Sequence, residues 1–377
     1  MYDSIRTMLK ELTALRGVSG HEKEVVKCIY QKSRQYTDEI EADNLGNLTV
    51  HIPTKREGAP KVVIFGHMDE IGLMVRMIES DGFLRLERVG GIHPQVLPGM
   101  KLLLTTECGT VLPGVVGVRA HHVSSDEEKR HIPEIRELYL DIGASSRREA
   151  EEWGVEVGAL VTYAPDWIEY GNDRVSCKAI DNRVANVILL HLLKRWAQTD
   201  WEGPDVYLVF GVQEEFNVRG VLPAIRKIDP DICIGLDITV VYDTPDARGM
   251  GSIEVGGGPA VTYLHYNEGG TLAGQAHNER LNRLFCRSAA KRGISIQKEV
   301  VIGVITETAF MSYEGTKGFI TANLSIPTRY THTPIELISL KDVEDTINLL
   351  DEAVPNIIQV TEFQLISLEE LAAEDHI

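Results

Sequence analysis

At 377 residues the chain is longer than one ordinary domain and can bury a sizeable core, so two domains are expected. Against 38 Lys and Arg stand 56 Asp and Glu, and the formal charge of −18 at pH 7 opposes both phosphate backbones and anionic membranes. Nucleic acid and membrane are set aside as partners, the more so because no run approaches the roughly 18 apolar residues of a membrane span.

The N-terminus, MYDSIRTMLKELTALRG, has the spacing of an amphipathic helix, with Ile5, Met8, Leu9, Leu12 and Leu15 on one face. It lacks the apolar centre and small-residue cleavage site of a signal peptide. The five cysteines (Cys28, Cys108, Cys177, Cys233, Cys286) are scattered and never in Cys-x-x-Cys spacing, which indicates neither a disulfide framework nor a thiolate zinc site. A reducing, cytoplasmic location is expected.

A second helix restarts after the Gly/Ser break in GVSGHEKEVVKCIY, and DNLGNLTVHI reads as a turn and a strand. The β-branched and aromatic run in KVVIFGHMDEIGLMV, residues 61–75, breaks off at Gly66 into His67, Asp69 and Glu70. If residues 62–65 form a central parallel strand, these polar groups arrive at its carboxyl end, where open α/β sheets place their ligand crevices. From about residue 72 to 168 short apolar runs are cut repeatedly by Gly and Pro, the texture of a small all-β unit with one short helix around residues 145–153.

From residue 175 an α/β rhythm returns: DNRVANVILLHLLKRW as helix, DVYLVFGV as strand, VLPAIRKI as helix, DICIGLDI and GFITANLSIP as strands, LKDVEDTINLLDEAV as a late helix. The Gly-rich EVGGGPAV, residues 254–261, reads as a turn, since no helix opening with Lys-Ser/Thr follows it. The expected fold class is α/β, a mixed central sheet flanked by helices, with residues 1–71 and 169–377 forming one discontinuous unit and residues 72–168 an inserted β-rich domain.

Four apolar runs end in groups that bind metal or move protons: His67 and Asp69, Glu214 and Glu215, Asp237, and His332. Asp181 joins them at the start of a helix, where an Asp is ordinarily an N-cap, so capping and ligation both stand. Two histidines and three carboxylates suit divalent zinc or a neighbouring transition metal. Five such ligands point to two ions sharing a carboxylate, a site that polarises a carbonyl and activates water. Asp69, two residues beyond His67, can hold the imidazole's second nitrogen. On an extended segment Glu214 and Glu215 point apart, which suits one to ligation and the other to proton transfer. His121, His122 and His131 read as a polar surface loop.

The segments GHMDEIGLMV, AIDNR, VQEEFNVRG, GLDIT and SIPTRYTHTP stand in an order and context that resembles the tetrahedral aminopeptidases, metallopeptidase family 42. That family comprises two-metal exopeptidases, among them glutamyl aminopeptidases and some proteins labelled endoglucanase. The resemblance runs from LRGVSGHEKEV to the late helix. It implies His67, Asp181 and Asp237 as ligands of one ion, Asp181, Glu215 and His332 as ligands of the other, Glu214 as general base, and Asp69 as the carboxylate behind His67. It further implies two divalent ions per subunit, Zn²⁺ first with Co²⁺ or Mn²⁺ as alternatives, and a homododecamer built from dimers through the insertion.

Two segments depart from that family's pattern. Many relatives carry Thr-Asp-Ala where this chain reads VITETAF, with Glu307 in the corresponding place, and the insertion has RAHHVSSDEEKRHIP instead of a Pro-Pro-His-Leu turn. The resulting reading is a metal-dependent aminopeptidase that removes N-terminal residues from peptides. Its alternative is the same machinery acting on N-acyl amino acids or amino sugars. A glycosidase ranks lower, because its two carboxylates ordinarily work without metal and leave the two histidines without a task.

Overall fold

The computed structural model describes residues 1–267, 273–366 and 371. Helices α1 (Tyr2–Ala14) and α2 (Lys23–Ser33) precede strands β1 (Ile40–Ala42), β2 (Leu48–Ile52) and β3 (Lys61–His67). There follow β4 (Gly72–Ile78), β5 (Leu84–Val89), β6 (Lys101–Thr105), β7 (Val111–Val116), β8 (Tyr139–Asp141), the short α3 (Arg147–Glu152) and β9 (Leu160–Tyr163). Strands β10 (Ile168–Tyr170) and β11 (Arg174–Cys177) lead to α4 (Ile180–Trp196), β12 (Asp205–Gly211), α5 (Glu214–Asn217), α6 (Leu222–Ile228) and β13 (Ile232–Val240). The chain continues with β14 (Ala260–Asn267), β15 (Ala273–Ala276), α7 (Glu279–Arg292), β16 (Gln297–Ile302), α8 (Thr308–Met311), β17 (Ile320–Thr328), β18 (Glu336–Ser339) and α9 (Leu340–Ala353).

Among the described residues the main sheet runs β1-β2-β12-β3-β13-β17-β14-β15, with β16 paired to β14. Its centre is parallel: β3 pairs with β12 and β13, and β13 with β17, in a register that sets His67 opposite Gly211 and Asp237 opposite Ser325. Both faces are covered, which is why the central strands read as continuous apolar runs rather than alternating ones. Val62, Ile64, Ile234 and Leu236 pack with α1, α4 and α9, whereas Val63, Phe65 and Cys233 pack with α6 and with Met311 of α8. Helix α4, apolar on nearly every side, is buried along most of its length, as such a helix must be.

Strands β4 to β9 close into a barrel in the order β4-β5-β8-β7-β6-β9, around a core of its own that includes Leu73, Leu84, Leu102, Leu140 and Val161. Closure removes the edges that six short strands would otherwise expose. Ser146 caps α3 by accepting from the Glu149 N–H at 3.2 Å. The expected histidine loop is an exposed string of short turns, with His131 3.0 Å from Glu137. A small sheet, β10-β11-β18, and the helix α7 complete the unit; α7 buries Leu281, Leu284, Phe285, Ser288 and Ala289, the i, i+3, i+4, i+7, i+8 face of an amphipathic helix. Residues 268–272 and the end of the expected 169–377 unit beyond residue 366, Leu371 apart, lie outside the described residues.

Candidate metal centre

Parallel strands that end together deliver their last residues to one place. His67 is the final residue of β3 and Asp237 lies in the carboxyl half of β13. Beyond the end of β12, Gln213 takes a left-handed conformation (φ 57°) and throws the chain into the single helical turn α5. Here the structure corrects the expectation: Glu214 and Glu215 are not on an extended segment, and their separation comes from the turn. Its two leading N–H groups need acceptors. The Asp69 carboxylate provides them, Oδ1 accepting from Glu214 and Oδ2 from Glu215, each at 3.0 Å, and Oδ2 accepts the Ser19 hydroxyl as well.

Asp181 is the second residue of α4, yet its backbone is not helical (φ −71°, ψ 105°) and its side chain makes no capping bond. The neighbouring Asn182 does that work, its Oδ1 accepting from the Ala185 N–H at 3.3 Å. Asp181 is thereby free to face the two histidines. Its Oδ1 lies 3.2 Å from His67 Nε2, and its Oδ2 lies 3.5 Å from His332 Nε2. His332 Nε2 is also 3.5 Å from Glu215 Oε2, while His67 Nε2 is 3.9 Å from both Asp237 Oδ1 and Glu214 Oε2. Two triads result, His67/Asp181/Asp237 and Asp181/Glu215/His332, each with one ligand atom per residue inside a 4.8 Å span.

A model of the M42 glutamyl aminopeptidases matches residues 46–349. The chain belongs to the M42 glutamyl aminopeptidase family. The M42 chain is 39% identical over 348 residues to the putative aminopeptidase SgcX of Escherichia coli (strain K12), covering 92% of each. Its fold matches aminopeptidase APDkam598 from the archaeon Desulfurococcus kamchatkensis with a TM-score of 0.90 at 29% identity, over 97% of this chain and 99% of that one. It also matches the Pyrococcus horikoshii TET1 peptidase, described as able to assemble into a tetrahedron or a large octahedral shell, with a TM-score of 0.82 at 26% identity over 93% and 99%. The M42 protein is accordingly an aminopeptidase, a hydrolase of peptide bonds.

The electrostatics of this M42 centre are those of a cation site. Burial pushes the carboxyls of Glu214, Glu215 and Asp237 upward, Glu215 to about 8 and Asp237 to about 7, with the Asp181 charge adding to both of the latter. Burial also lifts Glu307, to about 8; its Oε1 accepts from the Val221 N–H at 3.1 Å. For His67, burial opposes the charged form, but the Asp181 and Asp69 carboxylates outweigh it and hold the imidazole well above its ordinary value. His332 rises to about 11, chiefly through Glu215, against burial and with Asp181. Asp181 Oδ1 and Glu215 Oε1 are buried with no hydrogen-bond partner. Clustered carboxylates with orphaned oxygens beside two imidazoles are the donor set of a divalent cation, so the residues fit the group.

Several buried groups support this arrangement. Glu336, 2% exposed, accepts from the N–H of both Asp181 and His332. Glu22 accepts from the Gly20 and Gln213 N–H groups at 2.7 and 3.0 Å, bracing the entrance to α5. Beneath the centre, Lys178 Nζ donates to Glu70 at 2.7 Å and to the Leu15 carbonyl at 3.0 Å, while Arg183 donates to the Leu12 carbonyl at 2.8 Å. These two cations close the carboxyl end of α1, where carbonyls lack partners. In sequence, Glu70 and Arg183 stand inside the segments GHMDEIGLMV and AIDNR, whereas Lys178 is signalled only by its nearness to Asp181.

Proposed function

We propose that the two triads hold two divalent cations bridged by Asp181, with Zn²⁺ first and Co²⁺ or Mn²⁺ as alternatives, and that the chain uses them to remove N-terminal residues from peptides. The observation that carries this reading is the split of one carboxylate: Asp181 turns Oδ1 to His67 and Oδ2 to His332. His67 and Asp237 would hold the first ion, Glu215 and His332 the second. When bound, such ions supply Lewis-acid polarisation of the scissile carbonyl and acidify an attacking water.

The chain's own contribution is positioning and proton transfer. Glu214, 8% exposed, lies with Oε2 3.9 Å from His67 Nε2 without joining either triad, and serves as the base that takes a proton from the attacking water and returns it to the leaving amine. Asp69 holds that base in place through the Glu214 N–H and stands 3.4 Å from His67 Nδ1, so one carboxylate orients both a ligand and the base. No Ser or Cys nucleophile takes part.

Residues 1–71 and 169–377 would then form the catalytic unit and residues 72–168 an association domain. A closed barrel that exposes Val115, Val118 and Val123 supports subunit contacts there, and relatives that form shells support a homododecamer of dimers. The five cysteines are all unpaired, which fits the cytoplasm.

A panel of aminoacyl chromogenic substrates, with N-acyl amino acids as controls and zinc, cobalt and manganese in turn, tests the reading alongside metal analysis. Two ions per chain and chelator-sensitive release of N-terminal residues are expected. Activity that survives exhaustive chelation, or preference for the N-acyl compounds, would overturn it.

A further inference from the structure

We propose that Glu336 is a positioning residue: its carboxylate ties the backbones of Asp181 and His332 together and so sets the ligand spacing around the second ion. The inference rests on the two-ion reading above. Glu336 opens β18 opposite Cys177, the last residue of β11. The segment after Cys177 carries Asp181 and the loop before Glu336 carries His332, so Glu336 lies between the two. Oε2 accepts the Asp181 N–H at 3.0 Å and Oε1 accepts the His332 N–H at 2.9 Å.

Neither recipient is held by regular structure. Asp181 has a non-helical backbone at the head of α4, and His332 has a left-handed one (φ 61°), a conformation that a residue with a side chain keeps only when its surroundings enforce it. A carboxylate suits the task because it offers an acceptor oxygen to each side, whereas an amide offers one. Its placement is otherwise unfavourable: Glu336 is 2% exposed and adds negative charge to a site already rich in it. Both backbones that it fixes carry ligand atoms of the Asp181/Glu215/His332 triad, and only one of them, Asp181, belongs to the other.

The test is stepwise Co²⁺ titration of the metal-free full-length protein, followed by visible absorption and competition with a chelator, for the parent, Glu336→Gln and Glu336→Asp. Glutamine keeps the shape and loses one acceptor; aspartate keeps the charge and is too short for both donors. We expect a two-step parent, and variants in which one step weakens about 10- to 100-fold, as loss of a ligand-orienting partner does, while the other stays within a few-fold. Two unchanged steps in either folded variant overturn the proposal. Failure of both variants to fold would also overturn it, assigning Glu336 to the fold alone. A parent that binds a single ion overturns the two-ion reading itself, and this inference with it.

Discussion

The Nδ1 of His332 lies 2.9 Å from the carbonyl oxygen of Gly91, a residue of the loop that follows β5 of the barrel. The inserted segment therefore fixes a ring of the metal centre from outside the main sheet. With Nδ1 carrying the proton that this carbonyl accepts, Nε2 is left as the lone pair for a cation. A Cβ at position 91 would come within 2.6 Å of His332 Nδ1 and 2.8 Å of Cε1, and the backbone there is not left-handed. Gly91→Ala is expected to lower metal affinity or turnover about 10- to 100-fold while leaving the melting temperature near the parent's. Gly171→Ala, with nothing within 4 Å, is the neutral control.

Glu214→Gln is expected to keep its metal and lose roughly 10²- to 10⁴-fold in turnover, the worth of a positioned acid/base group. Metal analysis and kinetics on the same preparation check it. Near-normal turnover in a metal-replete variant would remove Glu214 from the base role.

For Asp181→Asn the structure removes one competing explanation, because the helix cap belongs to Asn182 and not to Asp181. Helical stability should hardly change in the metal-free protein. Both ions should be lost on dialysis, since one anionic oxygen disappears from between two sites. Two ions held as tightly as in the parent would contradict the bridge.

The buried pair of Lys178 and Glu70, with side chains 1% and 2% exposed, gives a stability prediction independent of metal. Lys178→Met leaves Glu70 with the Gly17 N–H at 3.1 Å and, as its remaining cation, the more distant Arg183 at 3.6 Å. Removing one partner of a buried pair costs about 3–5 kcal/mol, measurable by denaturant unfolding of the metal-free protein. Lys227→Met, which breaks an exposed pair with Glu41, should cost less than about 1 kcal/mol.

His265 and His277 meet edge to face, ring centroids 5.1 Å apart, and burial lowers them to about 4 and about 3. In the unfolded chain both would titrate near 6.5, so below that pH the unfolded state binds the extra protons. Their contribution is present above about pH 6.5 and is lost as the pH falls toward 4. A His265→Gln/His277→Gln variant should lose less stability than the parent between pH 7 and 5, by about 1–2 kcal/mol per ring. Parallel stability–pH curves for the two proteins would refute this.

The convergence of His67, Asp181, Glu215, Asp237 and His332 was legible because most of them end an apolar run, and parallel strands bring such endings to one edge. The barrel was legible in the Gly/Pro punctuation of residues 72–168. The turn at Glu214 was not, because nothing in VQEEFN signals that Gln213 adopts φ 57°. Glu336 stayed silent for another reason: its partners are backbone N–H groups, one of them 155 positions away, and backbone donors leave no trace in composition. Asp181 looked like a cap because Asp and Asn rank together there, and only the geometry shows that its neighbour took the role.

The order of the ligands along the chain has a consequence for how the enzyme is made. His67 precedes the barrel, Asp181, Glu215 and Asp237 come one by one after it, and His332 follows β17, with α9 still to come. An emerging polypeptide thus has no complete pair of triads until nearly all of it has left the ribosome, because His67 and His332 lie near opposite ends of the chain. Metal bound by these residues would then be a late seal on a finished sheet rather than a nucleus for it. Chains halted or clipped before residue 332 should carry no hydrolytic activity, so unfinished copies would pose no proteolytic hazard to their surroundings.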